Sequence, residues 1–162
     1  MKKLIIVISL VIAVAFLVIR IDRDESEIRK NLAAIETLLT KSSDEKPLAG
    51  FGRARKVGTF FTDDCYVAFG APVPDIHDDG ELLAVVQRVR HAVHRVEVRF
   101  DDISISVSDD RDSAEVILTA TAIVYKQGNL KGEIEAREVE STAVKVDGSW
   151  KFRKVIGIET LH

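Results

Sequence analysis

The amino-acid sequence predicts an α+β fold, a curved antiparallel sheet packed on three helices and preceded by one N-terminal transmembrane helix. Three observations carry this expectation. An almost unbroken apolar run occupies Leu4 to Ile19. Apolar residues then recur mostly at helical spacing as far as Arg95. From Val96 onward the period changes to two, over four segments parted by turn residues.

Length and charge bound the rest. With 162 residues the chain can enclose one core of its own, so the division expected is a membrane segment, 1–21, and a single domain, 22–162. A hydrophobic content of 46% with 30% charged residues excludes disorder. Setting aside Lys2 and Lys3 leaves 21 basic against 26 acidic side chains, a net charge of −5. Such a surface repels phosphate, and no basic stripe with interleaved aromatics occurs, so nucleic acid is not an expected partner.

The apolar run is short for a span, at the lower bound of the roughly 17–25 residues a spanning helix needs. Two readings compete for it. One is an uncleaved signal anchor; the other is a signal peptide cut after Ala13-Val14-Ala15. Phe16-Leu17-Val18-Ile19 continue the run through that site, which favours the anchor. A soluble helix would need a polar face, and Ser9 is its only polar residue. Membrane contact is therefore assigned to residues 4–19. Lys2 and Lys3 favour a cytoplasmic N-terminus, against a weaker pull from Arg20 and Arg23. This predicts a single-pass inner-membrane protein with its domain facing the periplasm or cell exterior.

Within the domain, Asp24 followed by Glu27 has the form of a capping box, and Ile28, Leu32, Ile35, Leu38 and Leu39 extend an amphipathic helix to about Lys41. A second helix is expected from Leu48 to about Thr62, weakened by Gly50, Gly52 and Gly58. A short strand, Cys65 to Phe69, an irregular loop and a third helix, Glu81 to about Arg95, follow. The four alternating segments are Val96 to Val107, Ala114 to Tyr125, Ile134 to Val146 and Trp150 to Leu161. Asp147-Gly148 is a strong tight-hairpin signal, and the parity change across Asp101-Asp102 predicts a bulge.

The order of these elements resembles the nuclear transport factor 2-like superfamily, also called SnoaL-like, over about residues 25–162. The resemblance lies in Gly58-Thr59-Phe60-Phe61-Thr62-Asp63-Asp64-Cys65-Tyr66-Val67, in the helix start Gly80-Glu81-Leu82-Leu83, and in Val144-Lys145-Val146-Asp147-Gly148-Ser149-Trp150-Lys151-Phe152. It implies a cone-shaped roll in which the bent sheet wraps the helices, and it commonly implies dimers formed through the open sheet face. The superfamily holds enzymes and non-catalytic partners alike, so the fold does not select a function.

Catalysts of this fold place an ionisable pair inside the cone. The third helix, drawn at about 100° per residue, puts His91 and His94 away from its apolar arc, beside Gln87, Arg88 and Arg95. His77 lies in the loop Asp75-Ile76-His77-Asp78-Asp79, without the spacing of a metal site, and His162 is terminal. No motif calls for a metal or a cofactor. Cys65, the one cysteine, reads as a buried strand thiol. The strand Ile134 to Val146 is ambiguous. Glu138 and Glu140 share a parity with Ile134, Ala136, Val144 and Val146 and would point inward unless a bulge near Glu140 turns them to solvent. They and Tyr66 are the candidate catalytic residues.

The function expected is thus a membrane-anchored, non-catalytic binding or interaction domain that self-associates through the open face, where Ile117, Thr119, Thr121 and Ile123 form a semi-apolar strip. One alternative is a small isomerase- or dehydratase-type enzyme with a pocket carboxylate. The other is a carrier of a small apolar ligand.

Overall fold

The computed structural model describes residues 23–70, 73–128 and 131–158. The apolar run assigned to the membrane lies outside the described residues. Among the described residues no helix is long and apolar enough to cross a membrane.

Among the described residues, three helices and five strands form the domain. Helix α1 is helical over residues 23–39. Helix α2 spans Pro47–Gly58 and α3 spans Asp79–Ala92, with strands β1 (Phe61–Ala68), β2 (Arg95–Val107), β3 (Ser113–Tyr125), β4 (Glu133–Val146) and β5 (Ser149–Ile158). The sheet order is β1-β5-β4-β3-β2. All neighbours pair antiparallel except β1 and β5, which run parallel.

Helix α2 stops at Gly58, short of the Thr62 expected, because Phe61 belongs to the sheet, where it pairs with Phe152. Helix α3 also ends early. Val93 is already extended, and Lys41 donates its ammonium to the carbonyls of Arg90, at 2.6 Å, and Val93, at 2.7 Å. A cation on these last carbonyls is where the helix dipole favours one. At its other end Asp78 caps α3 by accepting the Glu81 N–H at 2.7 Å, while Glu81 accepts the His77 N–H at 2.8 Å.

The bulge lies where the alternation predicts it. Pairing of β2 with β3 shifts between Asp101 and Ser104, and Asp102 takes φ +53°. The β4–β5 turn is tight, with Asp147 at φ +50° and Gly148 at φ +80°, the geometry for which an Asp-Gly pair is selected.

Helix α1 lies along β2, the free edge of the sheet, and meets its exposed groups. Phe100 N–H donates to Glu36 at 2.7 Å, Val98 N–H donates to the Thr40 hydroxyl at 3.1 Å, and Lys41 bridges Val96 through both backbone groups. These contacts occupy the edge groups of β2 from Val96 to Phe100, which another strand would otherwise pair with. Ile28, Leu32 and Ile35 turn from this helix into the core, against Val116, Leu118, Trp150 and Phe152.

Asp24 and Glu27, expected as a capping box, serve the tertiary structure instead. The chain is already helical at Arg23, so Asp24 does not precede the helix. Its buried carboxylate accepts hydrogen bonds from Lys145 Nζ at 2.9 Å, from the indole of Trp150 at 3.2 Å and from Arg111. Glu27 accepts the Trp150 N–H at 3.3 Å, and Asn31 donates to the Trp150 carbonyl at 3.0 Å. Burial raises the Asp24 pKa, but the bonds from Lys145, Arg111 and Trp150 outweigh it and hold the value down to about 2.

Candidate functional site

The concave face of the sheet is the natural place to look for a site, and its floor is filled. Trp150, Ile28, Val57, Val116 and Cys65 are each less than 2% exposed. Cys65 packs here as a small hydrophobe. Burial, with Asp79 and Asp78 adding to it, pushes its thiol up to about 11, so it is protonated at neutral pH.

Pairing decides which side chains face inward. Leu118 pairs with Val139, Val116 with Ser141 and Ala114 with Ala143, and all six are buried. The odd-numbered residues of β4 therefore line the cup. Glu138 and Glu140, on the opposite parity, are exposed on the outer face. They cannot act as pocket bases. The bulge expected near Glu140 is absent as well. The β3–β4 ladder runs unbroken from Ser113↔Val144 to Val124↔Glu133, and the irregularity lies on the β5 side, between Thr142 and Ala143. Both acids are solvated because Ile134 and Ala136, whose parity they share, are themselves outside.

Tyr66 alternates with the buried Cys65 and Val67 and so points away from the core. Its hydroxyl donates to Asp75 Oδ2 at 2.7 Å, which raises its pKa, and its ring centroid lies 5.5 Å from that of His77. This cluster stands on the surface beside β1. His91 and His94 are exposed. Among the described residues no group of three His, Cys, Asp or Glu could hold a metal ion.

Two inward residues escaped sequence reasoning. Arg90 is buried, donating to Glu45 from both Nε, at 3.2 Å, and Nη2, and to the carbonyls of Leu38 and Leu39 at 2.8 and 3.1 Å. The signal was available, since residue 90 follows Leu82 and Val86 by eight and four positions, on the apolar arc of α3. Its role is to tie α3 to the end of α1.

The second is Arg137. It pairs with Ala120 and shares the inner face, beyond the filled floor, where Val98, Phe100, Ala120 and Ala122 are only half-buried. Its Nε donates to Glu135 at 2.8 Å, and Nη1 donates to the Phe69 carbonyl. The Phe69 ring rests on Gly157, where a Cβ would lie 2.6 Å from Phe69 Cδ1, so glycine there is what admits the ring. Glu135, paired with Ala122, stands on the same face beside it, and the rest of this wall is apolar; a guanidinium there can orient an anionic group. A separate open depression of about 450 Å³, lined by Thr40 to Ser43, Arg95 and Glu97, lies on the outside where α1 meets β2.

Several solved structures share this architecture. A proposed scytalone dehydratase from Novosphingobium aromaticivorans superposes with a TM-score of 0.69 at 18% identity, over 85% of this chain and 84% of that one. ActVI-ORFA from Streptomyces coelicolor gives 0.63 at 16% identity, over 83% and 95%. A nuclear transport factor 2-like protein with a cystatin-like fold, also from N. aromaticivorans, gives 0.66 at 15% identity, over 86% and 83%. At these identities the likeness is one of fold. No curated protein sequence matches the chain. The SnoaL-like domain model matches residues 24–156, the whole of the sheet-and-helix cup apart from its last strand residues, and the chain belongs to that family.

Proposed function

We propose that the chain is a membrane-tethered, non-catalytic binding domain that self-associates through the outer face of its sheet, with the domain outside the cytoplasm. The observation that carries this reading is the apolar strip on that face. Ile117 is 43% exposed and Ile134 71%, and Ile123, Ile156 and Ile158 stand beside them in the ladder. Cross-strand rows run Ile117–Glu140–Ile156 and Thr119–Glu138–Ile158. Apolar side chains of this size repay burial, at about 25 cal/mol per Å² removed from water. The two glutamates between them need cations across the interface, and Lys154 on the same face is placed to supply one from a second copy. The tether rests on the apolar run Leu4 to Ile19.

The isomerase- or dehydratase-type alternative draws on the name of one structural neighbour, but it must find other residues than Glu138, Glu140 and Tyr66.

Sedimentation of the full chain in density-matched detergent tests the proposal. A dimer is expected, with Ile117→Arg reducing it to monomer. A monomer at high protein concentration refutes self-association. Recovery of the chain from the soluble fraction, beginning after Ala15, refutes the tether.

A further inference from the structure

We infer that the open part of the cup's inner wall binds a small organic monocarboxylate with an apolar body, and that Arg137 receives the carboxylate. The inference rests on reading the chain as a binding domain and names the ligand class of its concave face.

The wall itself comes first. Val98 pairs with Ala122, Phe100 with Ala120, and Ala120 with Arg137, which places these side chains on one face. Helices cover the floor of that face, while these residues keep partial solvent access. Ala120 and Ala122 present only methyl groups on that wall and are half-buried. Phe69, seated on Gly157, closes one side.

Arg137 is out of keeping with that surface. Its side chain is only 23% exposed, and a guanidinium keeps its charge at any physiological pH. Holding such a cation against an apolar wall is costly unless an anion compensates it. The anion present is Glu135, itself 63% exposed and so well solvated, and attraction across such a pair is weak. Nε and Nη1 are engaged by Glu135 and Phe69, and none of the hydrogen bonds among the described residues uses Nη2. Nη2 therefore keeps N–H groups that can donate a charge-assisted hydrogen bond to one oxygen of a carboxylate. Glu135 argues against a dianion, since a second negative charge would lie beside its own.

Binding is measured by calorimetry on the full chain in nanodiscs, with 3-phenylpropanoate and its neutral isostere 3-phenylpropanamide as probes. The acid is expected to bind about tenfold tighter than the amide, the usual scale for a charge-assisted hydrogen bond. Arg137→Gln should remove that preference and leave amide affinity unchanged. Glu135→Gln should strengthen acid binding severalfold, because it removes the competing carboxylate. Arg137 also holds the Phe69 carbonyl, so its variant is melted to confirm folding; Glu135→Gln alters an exposed side chain and tests the idea alone if Arg137→Gln unfolds. Equal affinity for acid and amide, no heat from the acid at millimolar concentration, or no gain in Glu135→Gln each overturns the inference. Neither substitution touches the outer face, so the sedimentation result separates failure here from failure of self-association.

Discussion

Asp24 offers the sharpest test of how this cup is held together. It lies at the start of α1, yet it receives hydrogen bonds from β4 through Lys145, from β5 through Trp150 and from the β2–β3 turn through Arg111. Replacing it with asparagine keeps the shape and removes the charge. The folded pKa of about 2, against 3.8 for the free side chain, corresponds to about 2 kcal/mol at neutral pH, taking about 1.4 kcal/mol per pH unit. For a chain of this size that lowers Tm by about 4–8 °C. The folded value is depressed, so the contribution is complete above pH 3.8 and disappears as the pH falls through about 2. Asp24→Asn lacks it at every pH. The stability gap between the two proteins should therefore be full at pH 7, narrow below pH 4 and close near pH 2. Trp150 is the single tryptophan and sits in the cluster, so urea unfolding followed by its fluorescence reads the gap directly. A gap below about 0.5 kcal/mol at pH 7, or one of constant size down to pH 2, would refute the assignment of that stability to a buried carboxylate.

Two further outcomes follow from the same structure. Arg90→Met should cost about 3 kcal/mol, because it leaves the buried Glu45 carboxylate only the longer, partly exposed ion pair with Arg53, at 3.6 Å, and strands the carbonyls of Leu38 and Leu39. Adding Glu45→Leu should restore part of that loss in the denaturation midpoint, whereas simple additivity would show that the pair is not coupled. Cys65, buried and with its thiol pushed up to about 11, should resist Ellman's reagent at pH 8 in the folded chain and react fully in urea; rapid reaction of the native protein would contradict its placement in the core.

Much of the architecture was legible in the sequence because it is written in local periodicity. The change from helical spacing to alternation near residue 95 separates α3 from the strands, the Asp147-Gly148 pair sets the last hairpin, and the parity change at Asp101-Asp102 marks the bulge. Each is a short-range consequence of side-chain direction and backbone sterics. Boundaries were less legible where two elements compete for the same residues. Phe60 and Phe61 suit a helix by spacing, and only the parallel pairing of Phe61 with Phe152 assigns Phe61 to a strand.

Tertiary structure alone decided the site. The β4 sequence carries apolar residues on both parities, Ile134 and Ala136 on one and Val139 and Ala143 on the other, so alternation there cannot say which face is inner. Register against β3 settles it, sending Glu138 and Glu140 outward and bringing Arg137 in. Asp24 was equally ambiguous, since an acid at a helix start serves as a cap unless distant cations claim it, and Lys145 lies 121 positions along the chain. The physical reason is common to these cases. Local pattern reports which residues share a face, while the choice of face and partner depends on contacts between segments far apart in sequence.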